Sequence, residues 1–242
     1  MNAALLYALA AAVANLVGGL LVTMASPQGR GAQRLLIAFG AGFMLAVTFL
    51  GMIPHALEGG PGAALGITGG YLLVHLTQHV VTPHFHFGEE THAEEMMGRW
   101  VGVAALLGLL LHTFFDGVAI ASGFGVSAAL GILVFTAILL HKVPEGVTVA
   151  SIMLASGNSR RRALGGVLLL GVSTVAGVLA AEHLEPLRDH GLALSAGVTL
   201  YVAASNLIPE VQKERSWTSA LSVFAGFAVY FLARSLVSGV VE

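Results

Sequence analysis

Short polar gaps divide the chain into eight apolar runs of about twenty residues, at roughly 2–24, 33–54, 62–80, 99–122, 127–152, 163–181, 191–209 and 217–238. Runs of that length cross the hydrocarbon core of a bilayer as helices, because in lipid every backbone N–H and C=O must be satisfied within the segment. A strand would leave those groups bare, and no run alternates apolar and polar residues as a membrane barrel requires. The expected fold class is therefore an all-α integral membrane protein of eight transmembrane helices. Composition agrees: 56% of the 242 residues are hydrophobic and 10% charged, and the mean hydropathy is +0.86. Soluble domains carry roughly 25% charged residues. A net charge of −2 gives no basis for binding nucleic acid, which leaves the lipid bilayer as the first partner. Cysteine is absent, so disulfides and thiolate metal sites are excluded. The first run has no Lys or Arg ahead of it and reads as a retained span, not a cleaved signal.

Basic residues orient the bundle. Arg30, Arg34, Arg99, Arg160, Arg161, Arg162, Lys213 and Arg215 fall in connections on one side, whereas the other side has Arg188, with Arg234 near the end of the last span. The positive-inside rule places the first group in the cytoplasm and both termini outside, with the plasma (inner) membrane as the expected location.

The chain also repeats itself. Ala41, Gly42, Leu45, Val47, Ile53 and Pro54 of the second span recur, without a gap, as Ala196, Gly197, Leu200, Val202, Ile208 and Pro209 of the seventh. Gly70 and Leu76 recur as Gly226 and Leu232. The match joins an even span to an odd one, so the copies cross the membrane in opposite directions. One transmembrane domain is expected, built 3+2+3: a three-helix repeat over 1–80, a central pair over 99–152 and an inverted repeat over 163–242. Inverted repeats characterise transporters, where the symmetry relates outward-open and inward-open halves of a cycle.

The central pair carries the chemistry. "LLHTFFDGVAIAS" and "LLHKVPEGVTVAS" match His112 with His141, Asp116 with Glu145 and Gly117 with Gly146. Each helix thus offers an imidazole and a carboxylate at i and i+4, on one face and about 6 Å apart. The short "GFGVS" connection makes the helices antiparallel, which brings His112 level with Glu145 and Asp116 level with His141. Two imidazoles and two carboxylates suit a borderline divalent ion, Zn2+ first, with Cd2+, Fe2+, Mn2+ and Co2+ as competitors. Two carboxylates in a low-dielectric interior repel each other and call for a cation between them. Such an ion is cargo, not a cofactor. Pro144 frees the carbonyl of Leu140 and is expected to kink its helix. Gly117 and Gly146 permit close approach of another helix or a hydrated ion.

"HTFFDG" followed by "HKVPEG" on adjacent spans resembles the paired motifs of the ZIP family of divalent metal transporters, and the resemblance extends over the whole chain. It implies that His112, Asp116, His141 and Glu145 form a transport site and that ions move toward the cytoplasm. Some relatives add a ligand from the second helix, for which Met44 is the match. The chain also departs from the pattern: where many members carry Asn and an acidic residue for a second metal, it has Thr113 and Lys142. The Lys142 ammonium can take the place and charge of that ion by pairing with Asp116 or Glu145, which implies one metal per cycle.

His55 and Glu58 follow the Ile-Pro of the second span, and Glu210 follows that of the seventh, as candidate residues of the two mouths. The tract around His84, His86 and His92 could capture metal weakly on the cytoplasmic side. A second copy of the chain, in a homodimer, is a further candidate partner. Two other functions compete: an intramembrane zinc-dependent hydrolase, for which no His-Glu-x-x-His pair is found, and a metal-selective channel.

Overall fold

A computed structural model describes residues 3–24, 30–78, 99–213 and 216–241. Among these the chain is helical throughout: α1 (Ala3–Met24), α2 (Arg30–Val47), α3 (Ile53–Glu58), α4 (Ala63–Leu76), α5 (Arg99–Val126), α6 (Ala128–Ala155), α7 (Arg160–His183), α8 (Glu185–Tyr201), α9 (Ile208–Gln212) and α10 (Trp217–Val241). Seven continuous helical spans are long and apolar enough to cross a membrane. The expected third span, 62–80, is represented by the shorter α4.

Two spans change pitch at matched places. A π-helical turn, Thr48–Met52, joins α2 to α3, and another, Val202–Leu207, joins α8 to α9. Each ends at an Ile-Pro. The amides of Ile53 and Ile208 reach back five residues, to the carbonyls of Thr48 and Ala203. Proline supplies the cause: it has no N–H for the carbonyl four residues earlier, and its ring crowds that turn, so the preceding turn widens.

The central hairpin is tighter than its sequence implies. α5 continues through the expected "GFGVS" connection as far as Val126, and Ser127 alone separates it from α6. Ser127 is extended (φ −162°, ψ 155°) and its hydroxyl accepts from the Leu130 amide at 3.1 Å, capping α6. Gly123 and Gly131 face each other at the tip, where a Cβ on Gly131 would run into the Phe124 ring. Glycine there permits close packing instead of a longer loop.

Helix packing is reciprocal. α1 packs on α6 and α7, α7 on α5 and α1, α2 on α10, and α4 on α8. The closest crossings use matched glycines. A Cβ on Gly117 would overlap the Thr174 carbonyl and one on Gly177 the Phe114 carbonyl, so α5 and α7 touch backbone to backbone. Gly146 and Gly18 do the same for α6 and α1, against the carbonyls of Asn15 and Val143. This pattern is consistent with the inverted repeat. Gly117 and Gly146 thus accommodate a neighbouring helix. α6 runs unbroken through Pro144. The outer face of α10 exposes Phe224, Phe231, Leu232 and Leu236, as a lipid-facing helix does.

Candidate metal centre

α5 and α6 bring His112, Asp116, His141 and Glu145 to one point: one ligating atom from each lies within 4.8 Å of all the others. All four side chains are buried. His141 Nε2 is 3.4 Å from Asp116 Oδ2 and 3.9 Å from Glu145 Oε2, so the expected level pairing of Asp116 with His141 is observed. The His141 Nδ1–H donates to the Ala137 carbonyl at 3.0 Å. A carbonyl can only accept, so this contact fixes the tautomer and turns the Nε2 lone pair toward the carboxylates, the orientation a metal-binding imidazole needs. His112 Nε2 is 3.2 Å from Asp116 Oδ2, yet among the described residues neither of its ring nitrogens has an aligned hydrogen-bond partner. A buried imidazole without such a partner, facing two carboxylates and another imidazole, fits a ligand better than a structural strut.

Lys142 is fully buried between the acids. Its Nζ is 2.7 Å from Asp116 Oδ2 and 2.7 Å from Glu145 Oε2. The sequence allowed a pairing with one of the two; the ammonium bridges both. Thr113 was read only as a departure from the two-metal pattern, and its contact with the site was missed. Its hydroxyl donates across the hairpin to Glu145 Oε1 at 2.7 Å, so both oxygens of Glu145 are held. The available signal was its position, matched to Lys142 by the hairpin repeat.

The other candidates are dispersed. Met44 is buried on α2, a helix that packs against α6. His55 lines an open cavity of about 1050 Å³ at the hairpin-tip end of the bundle, together with Ser122, Glu182, His183, Asp189 and His190. His55 and His183 each donate Nδ1–H to the carbonyl one turn back, at 2.7 and 2.8 Å, which leaves the ring's lone pair on Nε2. Ser122, on the cavity wall, is six residues beyond Asp116, a rise of about 9 Å along α5. Between them Val118, Ala119 and Ile120 are buried. Glu58 is exposed at the end of α3, and Glu210 pairs with Lys213 one turn on, at 3.0 Å. His84, His86 and His92 lie outside the described residues. Sequence reasoning also passed over Asn15 and Asn206, amides buried among apolar helices, and the cavity residues contributed by α7 and α8.

The chain is similar to known proteins over much of its length. A family model described as ZIP zinc transporter matches residues 88–234. The zinc transporter GufA of Myxococcus xanthus is 33% identical over 91% of this chain and 94% of its own. Zinc transporter ZIP9-B of Xenopus laevis is 29% identical over 59% of this chain and half of its own, and zinc transporter SLC39A7 of Rattus norvegicus is 32% identical over 59% and 34%.

Proposed function

The chain belongs to the ZIP zinc transporter family, and from that premise we propose that it carries a divalent transition-metal ion, zinc first, across the membrane through the His112–Asp116–His141–Glu145 centre. Membership sets it among transporters and not enzymes. The observation that carries the proposal is the convergence of two imidazoles and two carboxylates, all buried, within 4.8 Å. The two buried carboxylates carry one more charge than the Lys142 ammonium between them offsets, which favours a further cation there, and nitrogen and oxygen donors favour zinc and its borderline neighbours Cd2+, Fe2+, Mn2+ and Co2+.

In this reading the ion moves toward the cytoplasm of a cell bounded by the plasma (inner) membrane, with both termini outside. The 1050 Å³ cavity is then the outer mouth, with His55 as a capturing residue, and Glu210 belongs to the inner mouth. The division into two three-helix repeats around the α5–α6 pair is part of the same proposal, supported by the paired π-turns and reciprocal glycine crossings. Met44 is a further ligand, and a homodimer is the proposed assembly.

Uptake of radiolabelled zinc by the purified protein in sealed vesicles, competed with the metal series, tests the function. Saturable uptake competed most strongly by zinc and cadmium is expected; uptake no faster than in protein-free vesicles would refute it. Acceleration of uptake by metal inside the vesicle would identify a carrier, and its absence together with unsaturable flux a channel.

A further inference from the structure

A carrier that has delivered its cation must cross back with its site intact. Here that site holds two carboxylates, Asp116 and Glu145, with side chains 2% and 0% exposed. Facing each other without a cation, they would repel and lack solvation, so the metal-free form would be costly to pass through the membrane. Many carriers meet this demand with a second ion from solution. This chain has its own. Lys142 Nζ contacts Asp116 Oδ2 and Glu145 Oε2 at 2.7 Å each, and those two oxygens are the ones that face His141. The ammonium and an arriving metal therefore compete for the same atoms. Because the lysine is tethered to α6, it cannot be released with the cargo.

Resting on the transport reading above, we propose that Lys142 is the built-in counter-ion of the return step. An arriving metal displaces the ammonium from the carboxylates, and the departing metal lets it close them again. The metal-free protein then returns without a coupling proton or monovalent cation. Charge follows directly: two carboxylates and one lysine sum to −1 without metal and to +1 with a divalent ion. Each cycle moves the two charges of the metal, so the metal gradient and the membrane potential drive uptake.

Two fluxes separate this step from binding. Net uptake into metal-free vesicles needs the metal-free return, whereas exchange of labelled for unlabelled zinc across the membrane does not. In the unmodified protein, at clamped potential, net uptake should be indifferent to opposing gradients of protons, sodium or potassium. In Lys142→Ala, net uptake should fall relative to exchange by about a hundredfold or more, the scale expected for a buried charge deprived of its partner. Methylammonium at millimolar concentration should restore net uptake in Lys142→Ala. The proposal is overturned if Lys142→Ala lowers both fluxes in parallel, or if methylammonium leaves their ratio unchanged. It is equally overturned if the unmodified protein requires an opposing cation, a measurement that does not depend on any variant folding. Absence of both fluxes in the unmodified protein would instead refute the transport reading, and this inference with it.

Discussion

The two helices of the central hairpin carry near copies of one motif, and the difference that sets the charge at the centre is the residue after the histidine. On α5 that residue is Thr113, whose hydroxyl reaches across to Glu145 of α6 at 2.7 Å. On α6 it is Lys142, whose ammonium reaches across to Asp116 of α5 at 2.7 Å. The geometry is reciprocal and the charge is not. Symmetry supplies the ligands, since each helix contributes one imidazole and one carboxylate; asymmetry sets the charge, since one crossing contact is neutral and the other cationic. With a divalent ion bound, a hairpin with threonine at both places would form a neutral site, whereas this one would carry net +1.

The largest expected effect comes from breaking what the helices share. Glu145→Ala removes a carboxylate that the Thr113 hydroxyl and the Lys142 ammonium both hold, and leaves Lys142 paired with Asp116 alone. His141→Ala removes the imidazole whose tautomer is fixed by Ala137. Each should lower zinc uptake by about a hundredfold or more, the upper end of what disturbing a metal ligand's surroundings costs, while elution from a sizing column stays unchanged. Uptake near that of the unmodified protein in both variants would dismiss the centre as the transport site.

Next comes the shared close packing. Gly117 and Gly146 stand at matched places, and a Cβ on either would strike a carbonyl of the facing helix. Backbone cannot swing aside as a side chain can, so Gly117→Ala and Gly146→Ala must separate whole helices. A loss of roughly 1–3 kcal/mol each is expected, read as a lowered midpoint of thermal unfolding in detergent. Equal and small shifts would mean that the helix pairs α5–α7 and α6–α1 yield easily and the glycines are not needed for contact.

Sharpening the asymmetry gives a smaller, more informative change. Lys142→Thr makes the two halves alike and removes one positive charge beside the metal. A unit charge at 4 Å and an effective dielectric near 20 is worth about 4 kcal/mol before water and side chains relax. Even a quarter of that is about fivefold in affinity. A lower KM together with a lower maximal rate is expected, because a more tightly held ion leaves more slowly. Lys142→Asp should go further and bind a second ion, countable by elemental analysis against a single ion in the unmodified chain. A second ion in the unmodified protein would end the idea that lysine stands in for one.

How much of this was legible in the sequence depends on whether the signal was periodic. Spans and the four-residue cluster were, because apolar runs fix helices in lipid and His112, Asp116, His141 and Glu145 recur with one spacing. Lys142 was legible as a charge, though not as a bridge: a flexible stem gives its reach only when both acids are in place. The π-turns left no trace, since one extra residue in an all-apolar helix changes no pattern; only the Ile-Pro pairs marked where they end. The cavity at the hairpin tip was equally hidden, because His55, His183 and His190 come from elements far apart in the chain. Ser127 shows the opposite error. "GFGVS" reads as a loop by its glycines, yet Gly123 packs against Gly131 of α6 and the helix runs through both glycines as far as Val126.

Thr113 tests the neutral half of the comparison. Its hydroxyl holds Glu145 Oε1, and Lys142 holds Oε2, so the plane of that carboxylate is set from both helices. Asp116 receives the ammonium without a matching hydroxyl. Thr113→Val keeps the shape and removes the donor, which leaves Oε1 buried without its partner and the carboxylate free to turn. Hydrogen bonds to charged groups contribute about 1.5–3 kcal/mol, but the carboxylate retains Lys142, so only part of that should reach the bound metal. A rise of about threefold in KM is expected, within the range that an outer-shell contact commands, with Thr113→Ser close to the unmodified value. The discriminating comparison is with Lys142→Thr, where KM should move down. If Thr113→Val also lowers KM, the hydroxyl competes with the metal for Glu145 instead of presenting it, and the two crossing contacts would differ in strength alone.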